Sequence, residues 1–386
     1  MARETIKKKR FAVIKIRSGS LLGILTLAAF ILIISSSDVA IEYMKKGLGL
    51  CARAVIPSLF PFMIISELIV SSGIGIKLSK MFAKPMRALF GVSEAGAAAY
   101  FLGILCGFPI GAKTAVAMLD RGVISKRESE RILSFCNNPG SAFVISAVGV
   151  SLLGSKELGV ILYVCVILSS IIVGAVGKIF FGKSEINTEK FAISVEKDAI
   201  KSVTDAIQSS ALSMLSVCSY VVFFSAFVGC IGAYLSRFSP PEELIAAIFG
   251  FFELSSGVGA AANVSGRFGS VILCALFLGW SGMSVHFQVM SVSSNRGLSF
   301  KPYVIAKAAQ GVLCAAMAGG VIKLFPGLLK GDNSTAFSVT DGIINNYTTL
   351  TVAFLVTLII CVGIHLNNKS KKNKKSLTLF TYETKK

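Results

Sequence analysis

The sequence predicts an all-α polytopic membrane protein with about eight spans and two re-entrant hairpins. Of its 386 residues, 54% are apolar and only 15% are charged, whereas a soluble domain carries about 25% charged residues. Crossing a hydrocarbon core of roughly 30 Å takes about 20 helical residues. Apolar stretches near or above that length are clearest at 20–34, 158–181, 211–235 and 350–366.

The net charge of +19 lies mainly at the two ends of the chain. The tails at 1–19 and 368–386 together hold more than half of it and flank the first and last apolar stretches. Such runs are typical of cytoplasmic ends, and they attract anionic headgroups by about 1 kcal/mol per basic residue. Membrane lipids are therefore predicted partners, and a nucleic-acid partner is not predicted.

The sequence lacks the motifs of common enzymes. It has no G-x-S-x-G, no P-loop and no H-E-x-x-H, and none of its nine cysteines forms a C-x-x-C pair. No catalytic residue, metal site or cofactor is therefore predicted, and we expect the protein not to be an enzyme. The sequence leaves homo-oligomerisation open.

Charges and helix breakers divide the chain into seven regions. They are a basic cytoplasmic tail (1–19), a first span with an outside turn (20–51), a first repeat (52–181), a cytoplasmic connector (182–206), a second repeat (207–325), an outside loop with the last span (326–367) and a second basic tail (368–386). The outside turn is predicted at 38–49. Arg296, Lys301 and Lys307 mark a cytoplasmic loop, and residues 304–325 are predicted to cross outward after it.

The stretch 95–119 is predicted to be a hairpin that enters and leaves the membrane on the cytoplasmic side. Basic loops flank it at both ends, so that a single crossing would place one of them outside. Pro109 lacks a backbone donor, and Gly107 and Gly111 let the chain depart from helix geometry. Two half-helices of about 10 residues reach only about 15 Å. The alternative is one kinked span.

A second hairpin, entering from the outside, is predicted at 244–263, with its break at 255–259. A kinked span is again the alternative. Residues 52–181 then run span, hairpin, span, span, and residues 207–325 repeat this order from the opposite side. Two halves of opposite orientation are the inverted-repeat plan of many secondary transporters.

The first candidate site is the break in the first hairpin, formed by Gly107, Pro109, Gly111, Lys113 and Thr114. Non-helical backbone at membrane depth is tolerated only beside protein or a water-filled cavity. Free N–H groups at a half-helix start suit an anion, and Lys113 adds a positive charge. Alternatively, Lys113 reaches to the cytoplasmic interface.

The second candidate site is the run Asn137, Asn138, Pro139, Gly140 and Ser141, in the span after the first hairpin. Two amides, a helix-breaking Pro-Gly and a hydroxyl supply donors and acceptors for a polar ligand. The alternative is that the amides only form hydrogen bonds between packed helices.

The third candidate site lies in the second half and contains Glu253, Ser255, Ser256, Ser281, Ser284 and His286. Glu253 and His286 are predicted to relay a proton or to pair with each other. Glu67, in the second span, is a further candidate for a buried acid. The alternative for each carboxylate is a satisfied partner between helices.

Three motifs, at 57–62, 106–113 and 136–143, resemble the YlbJ-type sporulation integral membrane proteins of spore-forming Firmicutes. The resemblance extends from about residue 20 to 367. It implies a Gate, or nucleoside-recognition, domain and an inverted repeat similar to the core of concentrative nucleoside transporters.

The resemblance also implies a function: movement of dipicolinic acid, a small anionic substrate, across the outer forespore membrane of the bacterial mother cell during sporulation. A nucleoside-type carrier is the alternative within transport. A non-transporting assembly protein of the spore envelope, acting through its basic tails, is the alternative outside it.

Overall fold

The computed structural model describes residues 18–72, 80–180 and 199–329, and every regular element within these ranges is helical. The predicted all-α fold class is therefore confirmed. The main helices are α1 (Ser18–Ser35), α2 (Ser37–Leu50), α3 (Ile56–Ser71), α4 (Ala95–Cys106), α5 (Ile110–Asp120), α6 (Lys126–Cys136), α7 (Lys156–Phe180), α8 (Ala199–Leu235), α9 (Glu242–Phe252), α10 (Leu254–Ala262), α11 (Arg267–Trp280), α12 (Gly282–Ser293) and α13 (Lys301–Leu324).

Short helical segments complete the described chain. They are a π-helical turn at Cys51–Val55, a 3₁₀ turn at Lys80–Phe82, a helical turn at Ala83–Pro85, a π-helix at Met86–Phe90, a longer π-helix at Ala142–Leu152 and two 3₁₀ turns at Ser236–Phe238 and Pro326–Leu329. Apart from a few positions at their edges, the two basic tails, the outside loop and the last span lie outside the described residues.

Four helices are long and apolar enough to cross a membrane: Lys156–Ile179, Ile200–Phe238, Arg267–Ser293 and Lys301–Leu324. Two bent pairs qualify if each is counted as one span. Thr26–Ser35 meets Ser37–Arg53 at 98°, and Ala83–Phe90 meets Ala95–Cys106 at 85°. Four to six candidate spans thus lie within the described ranges.

The outside turn predicted at 38–49 is wrong, because these residues form helix α2. This helix runs without interruption through the π-helical turn into α3. It packs against α8, where a methyl group added at Gly47 would lie 3.1 Å from the Ser225 hydroxyl. Tertiary packing against α8 thus keeps helical a segment whose charged residues suggested an amphipathic turn outside the membrane.

The first hairpin folds back on itself, as predicted, between α4 and α5. Gly103 and Gly111 would be about 12 Å apart in a straight helix. In the structure they touch, since a methyl group added at Gly111 would lie 3.0 Å from the Cα of Gly103. The reversal occurs at Gly107, whose φ of +84° is accessible to glycine at little cost. A kinked continuous helix is therefore excluded here.

The second hairpin is also present, but its break lies at Glu253 and not at 255–259. Residues 255–259 are helical, within α10. The carboxylate of Glu253 accepts hydrogen bonds from the backbone N–H groups of Ser255 at 3.0 Å and Ser256 at 2.6 Å. This N-cap starts α10 immediately after the break. Gly250 and Gly257 form the close contact between α9 and α10.

Each hairpin tip packs against a break in the helical segment that follows it. The first such segment consists of α6 and the π-helix at Ala142–Leu152, interrupted at 137–141; the second consists of α11 and α12, interrupted at Ser281. A methyl group at Gly107 would lie 2.7 Å from the Gly140 nitrogen, and one at Gly282 would lie 2.9 Å from the Leu254 nitrogen. The hairpins and the breaks therefore form one contact in each half.

Two further boundaries differ from the prediction. Helix α8 begins at Ala199, so the last residues of the predicted connector at 182–206 are helical. Helix α13 begins at Lys301, three residues before the predicted span at 304–325, so Lys301 and Lys307, which marked the cytoplasmic loop, both lie in the helix.

Candidate functional site

A row of polar side chains on α13 joins the two helix breaks. Tyr303, Lys307 and Gln310 recur at intervals of four and three residues, which places them on one face of the helix. All three are buried, and Lys307 is 0% exposed. Polar groups buried in this way need hydrogen-bond partners, and they find them in the first break.

The first break receives two hydrogen-bonded residues of α13. The Lys307 ammonium donates to the Asn137 carbonyl oxygen at 3.1 Å and to Gln310 Oε1 at 2.8 Å. The Gln310 amide nitrogen donates to Asn138 Oδ1 at 2.7 Å and to the Val166 carbonyl oxygen at 3.3 Å. The carbonyl and side-chain groups freed by the helix break are thus bound by a helix of the other half.

Residues beside the second break contact the same cluster through Tyr303. The His286 ring lies 5.2 Å from the Tyr303 ring and 4.3 Å from the Trp280 ring, between centroids. Its Nδ1 donates to the Gly282 carbonyl oxygen at 2.7 Å, because a carbonyl can only accept. The Tyr303 hydroxyl accepts from Asn137 Nδ2 at 3.3 Å. Tyr303 therefore contacts both breaks.

Several buried polar atoms near the breaks have no hydrogen-bond partner in the described part of the chain. They are Asn137 Oδ1, His286 Nε2, Ser284 Oγ and Gln288 Oε1. An unpaired buried polar atom costs about 1–3 kcal/mol. Such a concentration beside two helix breaks is what a site for a polar ligand would contain.

The Lys307 charge is not matched by a carboxylate. Within the described ranges, no acid lies within salt-bridge distance of its ammonium, and its two acceptors are neutral oxygens. The same residues contain no cluster of three or more side chains that could hold a metal ion. The polar groups of the cluster are thus the amides of Asn137, Asn138 and Gln310, the rings of Tyr303 and His286, and the ammonium of Lys307.

Comparison with known proteins finds one similar protein along almost the whole chain. The sequence is 28% identical to the sporulation integral membrane protein YlbJ of Bacillus subtilis (strain 168), over an alignment that covers 92% of this chain and 99% of that protein. The predicted resemblance is confirmed. No family model and no solved structure matches. The similarity and the long apolar helices both indicate an integral membrane protein.

The structure brings the second predicted site and part of the third together. Asn137 and Asn138 bind the α13 side chains, and Gly140 packs on the first hairpin tip at Gly107. Pro139 and Ser141 are buried beside them. Ser281 and Ser284 are buried at the second break, together with His286.

The predicted pair of Glu253 and His286 does not form, which corrects the third site. Glu253 caps its own helix through Ser255 and Ser256, and His286 donates to the backbone at Gly282. The sequence placed both residues near a break but could not show that each finds a local backbone partner.

Lys113 and Thr114 lie in a separate polar contact with α3 and α8. Lys113 forms an ion pair with Glu67 at 3.1 Å and donates to the Ser209 hydroxyl at 3.1 Å. The Thr114 hydroxyl lies 3.3 Å from that of Ser66. The charge of Lys113 is therefore already paired within the protein. The remaining residues of this predicted site, Gly107, Pro109 and Gly111, shape the hairpin tip.

Sequence reasoning missed Tyr303, Lys307 and Gln310. The charges of Arg296, Lys301 and Lys307 were interpreted as the mark of a cytoplasmic loop, although the span predicted at 304–325 included Lys307, so its role in a buried polar cluster was not considered. The available signal was the spacing of the three polar residues, which puts them on one face.

The two halves are also held together at their surface. Arg296 donates two hydrogen bonds to the Asp120 carboxylate, at 2.6 and 2.7 Å, and Asp120 thereby raises the pKa of the Arg296 guanidinium. The backbone N–H of Ser299 donates to Glu130 Oε1 at 2.6 Å. These contacts link the ends of α5 and α6 to the loop after α12.

We expect Asp120→Asn to lower the free energy of unfolding by at most about 1 kcal/mol, because both partners are partly exposed. The loss should shrink at high salt, where exposed pairs are screened. Thermal unfolding of the purified protein at two salt concentrations measures it, with Glu243→Gln as an exposed control. A loss well above this range, independent of salt, would contradict the assignment.

Proposed function

We propose that the protein is a membrane transporter that holds a small polar solute between its two helix breaks. One observation carries the proposal: Tyr303, Lys307 and Gln310 of α13 join the first break, at 137–141, to His286 beside the second break in one polar cluster. A group of unpaired polar atoms at membrane depth persists only where protein or solute satisfies it. A solute bound there would contact both halves of the protein, as alternating access requires.

The proposed topology has eight spans and two re-entrant hairpins in an inverted repeat. The order of elements supports it, since a helix, a hairpin, a broken helix and a second helix follow one another twice. The first set is α3, α4 with α5, α6 with the π-helix at 142–152, and α7; the second is α8, α9 with α10, α11 with α12, and α13. The contact of each hairpin tip with the next break recurs in both halves.

The proposed solute is dipicolinic acid, and the proposed location is the outer forespore membrane. Both come from the resemblance to sporulation integral membrane proteins, which extends over nearly the whole chain. Dipicolinate is a small planar dianion. The amides of Asn137, Asn138 and Gln310 offer hydrogen bonds to carboxylates, and the flat rings of Trp280 and Tyr303 can pack against a planar ring.

A nucleoside-type carrier remains the alternative within transport, because the same amides and rings could also hold a nucleobase. Uptake into vesicles that contain the full-length protein separates the two. We expect saturable uptake of labelled dipicolinate that excess unlabelled dipicolinate inhibits and excess uridine does not. Uptake of uridine without dipicolinate would establish the alternative.

We expect Asn138→Ala to slow dipicolinate uptake by roughly tenfold or more, because the buried amide of Gln310 then loses a partner. Asn263→Ala, which removes an exposed amide in the second half, should leave the rate unchanged. Equal rates for both variants would remove Asn138 from the site.

The assembly-protein alternative is tested by deletion of residues 368–386. A transporter whose core is intact should still take up dipicolinate in vesicles. If no variant and no condition gives uptake, while tail deletion alone abolishes function in sporulating cells, the scaffold interpretation replaces the transporter.

A further inference from the structure

We propose that Lys307 binds a carboxylate group of the transported solute, an inference that rests on the proposed transport function. The chain has other cations with acidic partners: Lys46 pairs with Glu42, Lys113 with Glu67 and Arg296 with Asp120. Lys307 differs from these because it is 0% exposed and contacts only neutral oxygens. Burying an unpaired charge is costly, and an entering carboxylate would supply the missing negative charge.

The groups around Lys307 complete a carboxylate site. An ammonium carries three N–H donors, and only two of those of Lys307 have acceptors. The side-chain oxygen of Asn137, Oδ1, has no hydrogen-bond partner, while its Nδ2 donates to the Tyr303 hydroxyl. Because a hydroxyl can donate or accept, rotating the amide by 180° preserves that bond and frees two N–H donors. Asn137 can therefore add donors to the charge of Lys307.

The chemistry favours a carboxylate over a phosphate. Phosphate sites commonly combine arginine forks or the free N–H groups of a helix start with any lysine, which acts there as a point charge. In the described part of the chain, the hydrogen bonds of Lys307, Asn137 and Gln310 involve no arginine. A single ammonium surrounded by amides matches one carboxylate, and the second carboxylate of a small dianion would be left to the remaining donors of the cluster.

The position of Lys307 between the two halves lets it select solutes by their charge. It lies on a helix of the second half and donates to the backbone at the break of the first half. A carboxylate bound there would replace neutral acceptors as the partner of the ammonium. The charge of the solute would then decide whether the cluster binds it.

The test compares two ligands of equal shape on the purified full-length protein: dipicolinate and the neutral pyridine-2,6-dicarboxamide. The wild-type protein should bind the dianion more tightly. Lys307→Met keeps the length of the side chain without its charge. It should weaken dipicolinate binding by about 30-fold or more and change diamide binding by less than about threefold. Lys323→Met, an exposed lysine on the same helix, should change neither affinity.

Two outcomes would overturn the proposal: equal binding of diamide and dipicolinate by the wild-type protein, or unchanged dipicolinate binding by Lys307→Met. The comparison of the two ligands needs only the wild-type protein, so it remains informative even if Lys307→Met fails to fold. Lys307→Gln serves as a second variant. If dipicolinate binds through Lys307 but vesicles take up none, the transport function fails and the carboxylate site stands. If uptake of dipicolinate persists unchanged in Lys307→Met, the transport function stands and the carboxylate site at Lys307 fails.

Discussion

Replacing Gly103 by alanine is expected to prevent the first hairpin from packing and to lower the free energy of unfolding by more than about 3 kcal/mol. A methyl group at this position would overlap the Cys136 carbonyl oxygen and lie 3.2 Å from the Gly111 Cα. All these atoms belong to backbone, so no side chain can rotate away. Overpacking a close-packed interior usually costs about 1–3 kcal/mol, and a backbone overlap lies at or beyond the upper end.

The measurement is thermal unfolding of the purified protein, together with the yield of monodisperse material. Gly259→Ala is the matched control, because it lies in the second hairpin and has nothing within 4 Å of an added methyl group. It should be neutral or stabilising by up to about 1 kcal/mol, since alanine favours helix over glycine. Similar melting temperatures for the two variants would show that α4 and α6 do not pack as described.

The first hairpin could be predicted from the sequence for a different reason. Pro109 between Gly107 and Gly111 inside an apolar stretch permits few structures, and basic loops on both sides favoured a hairpin over a single crossing. The partner of Gly103 could not be predicted, because Cys136 lies 33 residues later and carries no special signal. Contacts between distant segments depend on packing, which local propensity does not encode.

The second hairpin shows the limit of the same reasoning. The run of serines and glycines at 255–259 looked like the break, but Glu253 accepts two backbone N–H groups and keeps that run helical. An N-cap is visible in a sequence only when the helix start is already known. The reversal of the chain within 244–263 is therefore present with its tip at Glu253, and its entry from the outside stays a prediction.

The candidate site was half predictable. Asn137 and Asn138 stood out because adjacent amides before Pro-Gly are rare in an apolar span. Lys307 and Gln310 did not, because a cation near a loop is most simply explained as a topology signal. Only the fold shows that α13 carries them to the first break, where they bind both asparagines.

The contact between Gln310 and Lys307 leads to the second large expected effect. Gln310→Glu is nearly isosteric and places a carboxylate 2.8 Å from the Lys307 ammonium. The protein would then supply internally the negative charge that we propose the solute supplies. An arriving dianion would meet a neutralised lysine and a like charge, and like-charge juxtaposition costs several kcal/mol.

We therefore expect Gln310→Glu to reduce dipicolinate binding and uptake by about 30-fold or more, while the folded protein persists. The new carboxylate cannot donate to Asn138 Oδ1 or to the Val166 carbonyl oxygen as the Gln310 amide does. Rotation of the Asn138 amide would present a donor to the carboxylate but would end the bond from Asn138 Nδ2 to the Phe135 carbonyl oxygen, so thermal unfolding of the variant is measured beside its binding. Affinity for the neutral diamide should fall far less, so the preference between the two ligands should reverse. Gln208→Glu adds the same charge at an exposed position of α8 and should leave both affinities unchanged. Wild-type uptake of dipicolinate by Gln310→Glu would mean that the charge of Lys307 plays no part in recognising the solute.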